Sequence, residues 1–332
     1  MIELVLKGSP FKRGHQHGER FAKRIQRDAS ALWADSAVEQ TLAAINETAC
    51  HIDKLFPEIN EEIRGIASGA GIEFQQAFLF NNRSILEAIT ADGCSHVAVI
   101  RDGTALVGMN KDLSNPDPTA YFMRRVQPDR GYARVGYQHI GRVWGYGVNE
   151  AGLCAAGTSA QPACERCVIP SLGLYFVGPI VLSRCGTTAE AVELMLGLGD
   201  ISESGNVLVA DESDAAVVEF SPDRQVVRMP ENGSIASTNF YASGEIEHAS
   251  DKAYLEETKA RYENILRLTE GTATVEQMKQ LLSHHAQQGA VCRHSDAADR
   301  TVFSWIADAM RRRFLIAEGP PCSAPYVEYQ MG

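Results

Sequence analysis

Ala91-Asp92-Gly93-Cys94-Ser95-His96-Val97-Ala98-Val99-Ile100-Arg101 is the stretch at which the pattern of this chain changes. Up to about Ala91 the pattern is helical. Phe11 to Val38 carries apolar residues at mixed three- and four-residue spacing. Glu58 to Ala70 places Ile59, Ile63 and Ile66 on one face before Gly69 and Gly71 stop it, and Glu73 to Ala88 reads as another helix. After Gly93 come short β-rich runs, SHVAVIR, ALVGMN, GYARVGY, VWGYGVN and GLCAAG, separated by Gly, Asp and Asn turns. A helix returns at Thr188 to Leu198, where Thr187 and Glu190 read as a capping box. NVLVAD, AAVVEF, QVVRM and SIAST then read as strands, and Asp251 to Leu268 and Val275 to His284 as helices, the latter capped by Thr274 with Gln277. VFSWIAD, RRRFLIAE and YVEYQ close the chain as strands. Antiparallel runs with helices segregated between them predict an α+β fold in layers rather than strict βαβ alternation.

Composition narrows the function. The chain has 332 residues, a formal net charge of −11 and 45% apolar residues, enough for a sizeable core. An acidic chain without a Lys/Arg cluster interleaved with aromatics gains nothing from counterion release, so neither nucleic acid nor an anionic membrane is an expected partner. The longest nearly apolar stretch, Cys167 to Leu182, is broken by Pro170, Gly173, Gly178 and Pro179, and is no membrane span. The opening MIELVLKGSPFKRGHQHGERF does not read as a signal peptide, so a cytoplasmic location is expected. Eight cysteines are far too few for a disulfide scaffold and are expected to be thiols.

One thiol stands where chemistry could use it. A cysteine that opens the first strand directly after a glycine can attack the glycine's uncrowded carbonyl. The resulting thioester is opened by water, and Cys94 becomes a new N-terminus. Its liberated α-amine, with an ordinary pKa of about 7.7–8.0, then serves as the base for its own thiol. A buried structural cysteine in a turn fits the same tripeptide.

Seven segments in order tip the balance: GSPFKRGHQHG (Gly8 to Gly18), EEIRGIASGAG (Glu61 to Gly71), DGC (Asp92 to Cys94), GMNKD (Gly108 to Asp112), GVNEAG (Gly147 to Gly152), VEFSP (Val218 to Pro222) and STN (Ser237 to Asn239). Together they resemble the acyl-coenzyme A:6-aminopenicillanic acid acyltransferase family of N-terminal nucleophile (Ntn) hydrolases. The resemblance implies an αββα four-layer sandwich, autocatalytic cleavage between Gly93 and Cys94, and amide hydrolysis or acyl transfer through an acyl-cysteine. On it, Cys94 is the expected nucleophile, Asp112 the carboxylate that holds the new α-amine, and Asn239 the side-chain donor of an oxyanion hole. Arg300 is the nearest candidate for the family's functional arginine, with Arg293 as a substitute. Lys111 stands where penicillin-forming members carry a bulky aromatic, so a different acyl chain is expected.

The resulting expectation is a precursor whose helix-rich segment 1–93 and catalytic fragment 94–332 stay packed as one domain. It acts on a small N-acyl compound without cofactor or metal, its partners being that substrate and its own two fragments; a homo-oligomer is compatible. An acyl-CoA-dependent N-acyltransferase is the alternative within the chemistry. The alternative outside it is a non-catalytic or zinc-binding protein built on Cys164 and Cys167. His15 and His17 lie about 200° apart on a helix and cannot chelate together. His96 shares a strand face with Cys94 but sits about 6.6 Å along the backbone, long for a dyad. His284, His285 and His294 show no partner in the sequence and read as surface or cap residues. Arg311, Arg312 and Arg313 could meet a coenzyme A phosphate or start a solvated strand. Tyr121, Phe122, Trp144 and Tyr146 could line an acyl pocket or fill the core.

Overall fold

The change of pattern at Cys94 is a change of layer. A computed structural model describes residues 1–34, 38–85, 93–101, 103–114, 117–160, 170–199, 201–249, 251–294 and 300–331. It begins with β1 (Glu3–Gly8), then α1 (Pro10–Arg20), α2 (Ala22–Ala34), α3 (Val38–Leu55), α4 (Pro57–Ala70) and α5 (Phe74–Asn81). The strands β2 (Cys94–Arg101), β3 (Thr104–Leu113), β4 (Tyr121–Pro128), β5 (Arg134–His139), β6 (Gly145–Asn149) and β7 (Cys154–Ser159) follow. After α6 (Val177–Arg184) and α7 (Thr188–Leu196) come β8 (Gly205–Ala210), β9 (Ala215–Phe220), β10 (Gln225–Arg228) and β11 (Ser234–Ser237). The chain ends with α8 (Lys252–Thr269), α9 (Val275–Leu282), β12 (Arg300–Asp308), β13 (Arg313–Ala317) and β14 (Tyr326–Gln330).

Two sheets form, an eight-stranded one ordered β1-β4-β5-β6-β7-β8-β9-β10 and a six-stranded one ordered β11-β2-β3-β12-β13-β14. They pack face to face through β2, β3 and β11 to β13 against β5 to β9, while α1, α6 and α7 cover the larger sheet and α8 and α9 the smaller. This is the αββα sandwich. Alternation along β2 creates it: Cys94 and Ala98 enter the core between the sheets, and Val97 and Val99 meet Ile265, Met278 and Leu281 of the outer helices. None of the described helices is long and apolar enough to cross a membrane.

The structure differs from the sequence reading in the helical front and at one cap beyond it. Its first element is a strand, β1, paired in parallel with β4 from Glu3↔Met123 to Gly8↔Pro128. The continuous pattern from Phe11 is two helices joined at Phe21, and α3 had no separate signal. Thr187 caps α7 as expected, accepting from the Glu190 N–H at 3.2 Å, but the Glu190 carboxylate reaches the N–H of Gly186 rather than that of Thr187.

Glycines in GSPFKRGHQHG and EEIRGIASGAG explain why both segments matter. They lie on α1 and α4, whose backbones touch. A Cβ on Gly14 would stand 2.0 Å from the Glu62 carbonyl oxygen, one on Gly18 2.3 Å from that of Ile66, and one on Gly65 2.2 Å from that of Phe11. Beside this crossing Arg13 and Glu62 form a buried ion pair at 3.0 Å. The crossing cannot accept a side chain without separating the helices. Gly14→Val and Gly65→Val are therefore expected to destabilise the protein by about 1–3 kcal/mol or more. Urea denaturation checks this; midpoints equal to wild type would contradict the helix crossing.

Candidate active site

Cys94 is the first residue of β2 and is 2% exposed. Register sets its surroundings: it lies opposite Lys111 of β3, while Thr301 of β12 lies opposite Asp112. Lys111 points into the same inter-sheet core, with Nζ 3.3 Å from Cys94 Sγ and 5.5 Å from the centre of the Trp144 ring. An ammonium there favours a thiolate. The peptide before Cys94 is held from both sides. The Gly93 carbonyl accepts the Asp112 backbone N–H at 2.7 Å, and the Cys94 N–H donates to Asn239 Oδ1 at 2.8 Å.

Asn239 is oriented by its partners. Its Oδ1 also accepts from Arg261 Nη2 at 3.1 Å, whereas its Nδ2 donates to the Ser159 carbonyl at 2.9 Å, so only one setting of the amide satisfies all three. Arg261, from the middle of α8, has no solvent exposure. Its Nη1 donates to the Cys94 carbonyl and to Asp112 Oδ2, each at 3.2 Å, and its Nη2 donates to Thr258 Oγ1 at 3.2 Å. Asp112 further accepts from Thr301 Oγ1 at 2.7 Å and has Arg293 Nη1 at 3.9 Å. Glu257 Oε2 lies 3.6 Å from Arg261 and 3.8 Å from Arg293.

The structure thus brings Cys94, Asp112 and Asn239 together and leaves Arg300 out, but with roles other than those expected. Asn239 Nδ2, the expected oxyanion donor, is given to the Ser159 carbonyl while its Oδ1 takes the Cys94 N–H, and the Asp112 carboxylate, expected on the α-amine, meets Arg261, Thr301 and Arg293. Arg300 is exposed at the start of β12, opposite Leu113, so the guanidinium groups of the cluster come from Arg261 and from Arg293, the named substitute. Asp112 is fully buried within β3 and is not a turn residue. Arg261 escaped the sequence reading, although a signal existed. Thr258, Arg261 and Ile265 share one helical face, so an arginine stands in an otherwise buried stripe.

The remaining candidates separate. Tyr121 and Trp144 lie between the sheets, Tyr121 5.0 Å from Phe303 and Trp144 4.8 Å from Tyr175, whereas Phe122 packs on His17 and Phe21 under the helices. Tyr146 is buried against Tyr137. His96 is fully buried, and neither ring nitrogen has a hydrogen-bond partner among the described residues. Burial, reinforced by Arg228, pushes it down to about 3, and burial likewise brings His17 down to about 3. Arg311 and Arg313 bind Asp308, at 3.1 Å each, and Arg313 also binds Glu328, which accounts for two of the three consecutive arginines. Cys164 and Cys167 lie outside the described residues, as do Asp92 and the stretch 86–92 that leads to the Gly93–Cys94 peptide.

A sandwich of two sheets between helical layers, with a buried cysteine at the head of a central strand, is the arrangement that the resemblance to the Ntn hydrolases implies. A family model described as acyl-coenzyme A:6-aminopenicillanic acid acyl-transferase matches residues 99–321, and the chain belongs to that family. The matched span begins just after Cys94, so the case for this cysteine stands on the geometry at the head of β2. Among curated relatives, the 40 kDa form of acyl-coenzyme A:6-aminopenicillanic-acid-acyltransferase from Emericella nidulans is 23% identical over 263 residues, covering 72% of this chain and 69% of that protein. Similar solved structures include a mutant conjugated bile acid hydrolase from Clostridium perfringens (TM-score 0.47, 12% identity, 72% of this chain and 97% of that one). A penicillin V acylase from Agrobacterium tumefaciens is another (TM-score 0.48, 15% identity, 72% and 86%). The family is described by acyl transfer.

Two outcomes follow from the buried charges. Arg261→Met leaves Asp112 without its closest cation and should cost about 3–5 kcal/mol. Asp112→Asn added to it should cost much less than the sum of the two single changes. Chemical denaturation of the three variants measures this coupling, and strict additivity would contradict it. The two depressed histidines give a pH dependence. Between their unfolded value near 6.5 and about 3, the unfolded chain binds protons that the folded chain refuses. Their contribution is complete above pH 6.5 and falls with pH, by up to about 1.4 kcal/mol per pH unit for each group. Denaturation midpoints from pH 7.5 to 5 should decline, and His96→Leu should flatten the slope.

Proposed function

We propose that this protein is a self-processing Ntn cysteine amidohydrolase that cleaves itself between Gly93 and Cys94. It then hydrolyses the amide bond of a small N-acyl compound through an acyl-cysteine. The observation that carries this reading is the double restraint of the Gly93–Cys94 peptide, by the Asp112 N–H on one side and Asn239 Oδ1 on the other. In the first step Sγ attacks the Gly93 carbonyl carbon. The oxygen gains negative charge against the Asp112 N–H, and the Cys94 nitrogen leaves with a proton as the free amine. Water opens the thioester, which returns the thiol and leaves a carboxylate on Gly93. The same amine afterwards accepts the thiol proton when Cys94 attacks a substrate amide, with Lys111 balancing the thiolate.

In this scheme Asn239 Oδ1 holds the reacting nitrogen, and Asp112 acts at one remove, by fixing Arg261, which also donates to Asn239 Oδ1. Parallel pairing of β1 with β4 supports continued association of segment 1–93 with the catalytic fragment after cleavage. Acyl-CoA-dependent N-acyl transfer is the second reading, favoured by the name of the curated relative. The two differ only in whether water or an amine receives the acyl group.

Intact-mass measurement of purified wild type should give two species, residues 1–93 and 94–332, and Cys94→Ala a single 36.2 kDa chain without activity. A wild type that stays full length, with Cys94→Ala equally active, would sink the proposal. With processing established, release of free amine from a panel of N-acyl amides indicates hydrolysis. Consumption of acyl-CoA only when an amine is present indicates transfer.

A further inference from the structure

Away from Cys94, four side chains that the catalytic scheme does not use converge on one point. They are His285, Cys292 and His294, from the connection between α9 and β12, and Cys322, from the connection between β13 and β14. One ligand atom from each lies within 4.8 Å of all the others. His294 Nε2 is 3.4 Å from Cys292 Sγ and 3.2 Å from Cys322 Sγ, and the His285 ring stacks on that of His294 at 5.0 Å. With zinc–sulfur bonds of about 2.3 Å and zinc–nitrogen bonds of about 2.0–2.1 Å, tetrahedral ligand atoms stand roughly 3.3–3.8 Å apart. The two His294–sulfur spacings lie near that edge length, and the remaining pairs lie within 4.8 Å, so a small inward adjustment closes the tetrahedron. From the sequence no metal is expected and His285 and His294 read as surface or cap residues; folding supplies their partners.

The donor set selects the ion. Two thiols and two imidazoles, with no carboxylate in the group, suit zinc and disfavour calcium or magnesium. Three of the four residues are exposed, so an ion can enter from solvent. The surrounding backbone is already organised. The N–H groups of Val291 and Cys292 both donate to the His284 carbonyl, at 3.1 and 3.0 Å, and Asn110 of β3 grips the Val291 carbonyl at 2.8 Å. On the other side, Ser323 and Ala324 both donate to the Pro320 carbonyl, closing a tight turn around Cys322.

We propose that His285, Cys292, His294 and Cys322 form a structural zinc site that ties the α9–β12 connection to the β13–β14 connection. Binding releases the two thiol protons to solvent as the zinc–sulfur bonds form. The consequence reaches the cluster around Cys94, because Arg293 stands between two of the ligands. Its backbone is paired with Thr301, its Nη1 lies 3.9 Å from Asp112 and its Nη2 3.8 Å from Glu257. Clamping the residues on either side of Arg293 restrains the cation beside Asp112. The proposal stands whether or not the chain cleaves itself.

The full chain, purified with a reductant, is loaded with zinc chloride, desalted and analysed for metal by mass spectrometry. About one zinc per chain is expected. Cys322→Ser and His294→Ala, checked for folding by circular dichroism, should each weaken retention at least about tenfold. Cys50→Ser and a Cys164→Ser/Cys167→Ser variant should retain full metal. Cobalt loading should give thiolate-to-metal charge-transfer absorption that Cys292→Ser reduces. Less than about 0.1 zinc per chain in wild type, retention unchanged by Cys322→Ser and His294→Ala, or loss of metal in the Cys164/Cys167 variant would overturn the proposal. So would a Cys292–Cys322 disulfide found in the protein after reductant treatment and desalting.

Discussion

Burial of the Arg261 guanidinium is the constraint on which the centre of this molecule turns. A permanent cation with no solvent exposure must be met by acceptors, or its desolvation is uncompensated. Its two Nη groups donate to four acceptors, the Cys94 carbonyl, Asp112 Oδ2, Asn239 Oδ1 and Thr258 Oγ1, with the Glu257 carboxylate 3.6 Å away. They come from the head of β2, the end of β3, the segment after β11 and α8 itself. Satisfying one side chain therefore fixes how the outer helix, two central strands and the Asn239 segment meet. Asp112 is constrained in the same way, since an internal carboxylate needs Arg261, Arg293 and Thr301 around it.

Alternation along β2 and β3 divides the labour between the two faces of the smaller sheet. Asp112 faces the helical layer and joins the charge network, while Cys94 and Lys111 face the larger sheet with Trp144 nearby. Hence the thiol meets one ammonium in an apolar, aromatic setting, and the nitrogen of the same residue meets a polar network through Asn239. A single cysteine at the edge of both environments can have its sulfur and its nitrogen tuned separately, as a nucleophile that supplies its own base requires.

The helical front contributes through shape rather than charge at the site. The glycines of α1 and α4 bring the helices to backbone contact, and β1 extends the larger sheet beside β4. Residues before Cys94 are thus woven into the same sandwich as those after it. The α9–β12 connection links a surface cluster of sulfur and nitrogen donors to Arg293, and through it to Asp112. Surface and centre share one short segment of chain.

Much of this was legible in the linear chain because it depends on local period and on residue type. The shift from helical to alternating spacing at Cys94, the caps at Thr187 and Thr274, and the glycine-marked segments are properties of neighbours in sequence. The position of Cys94 after Gly93, and Asp112 and Asn239 as its companions, were legible through the segments that carry the family resemblance. The strand β1, the arginine that serves Asp112, and the meeting of His285 and His294 with Cys292 and Cys322 were not. β1 is short and forms because β4 offers it an edge. Arg261 stands 149 residues from Asp112, and Cys322 stands 28 residues from His294, so no spacing rule connects them. The sequence by itself determined which residues could enter strands, helices and a cysteine-centred chemistry, because those choices follow from backbone propensity and side-chain type. Only the tertiary structure decided which charges share a buried space, because that depends on how two sheets and their helices close around it.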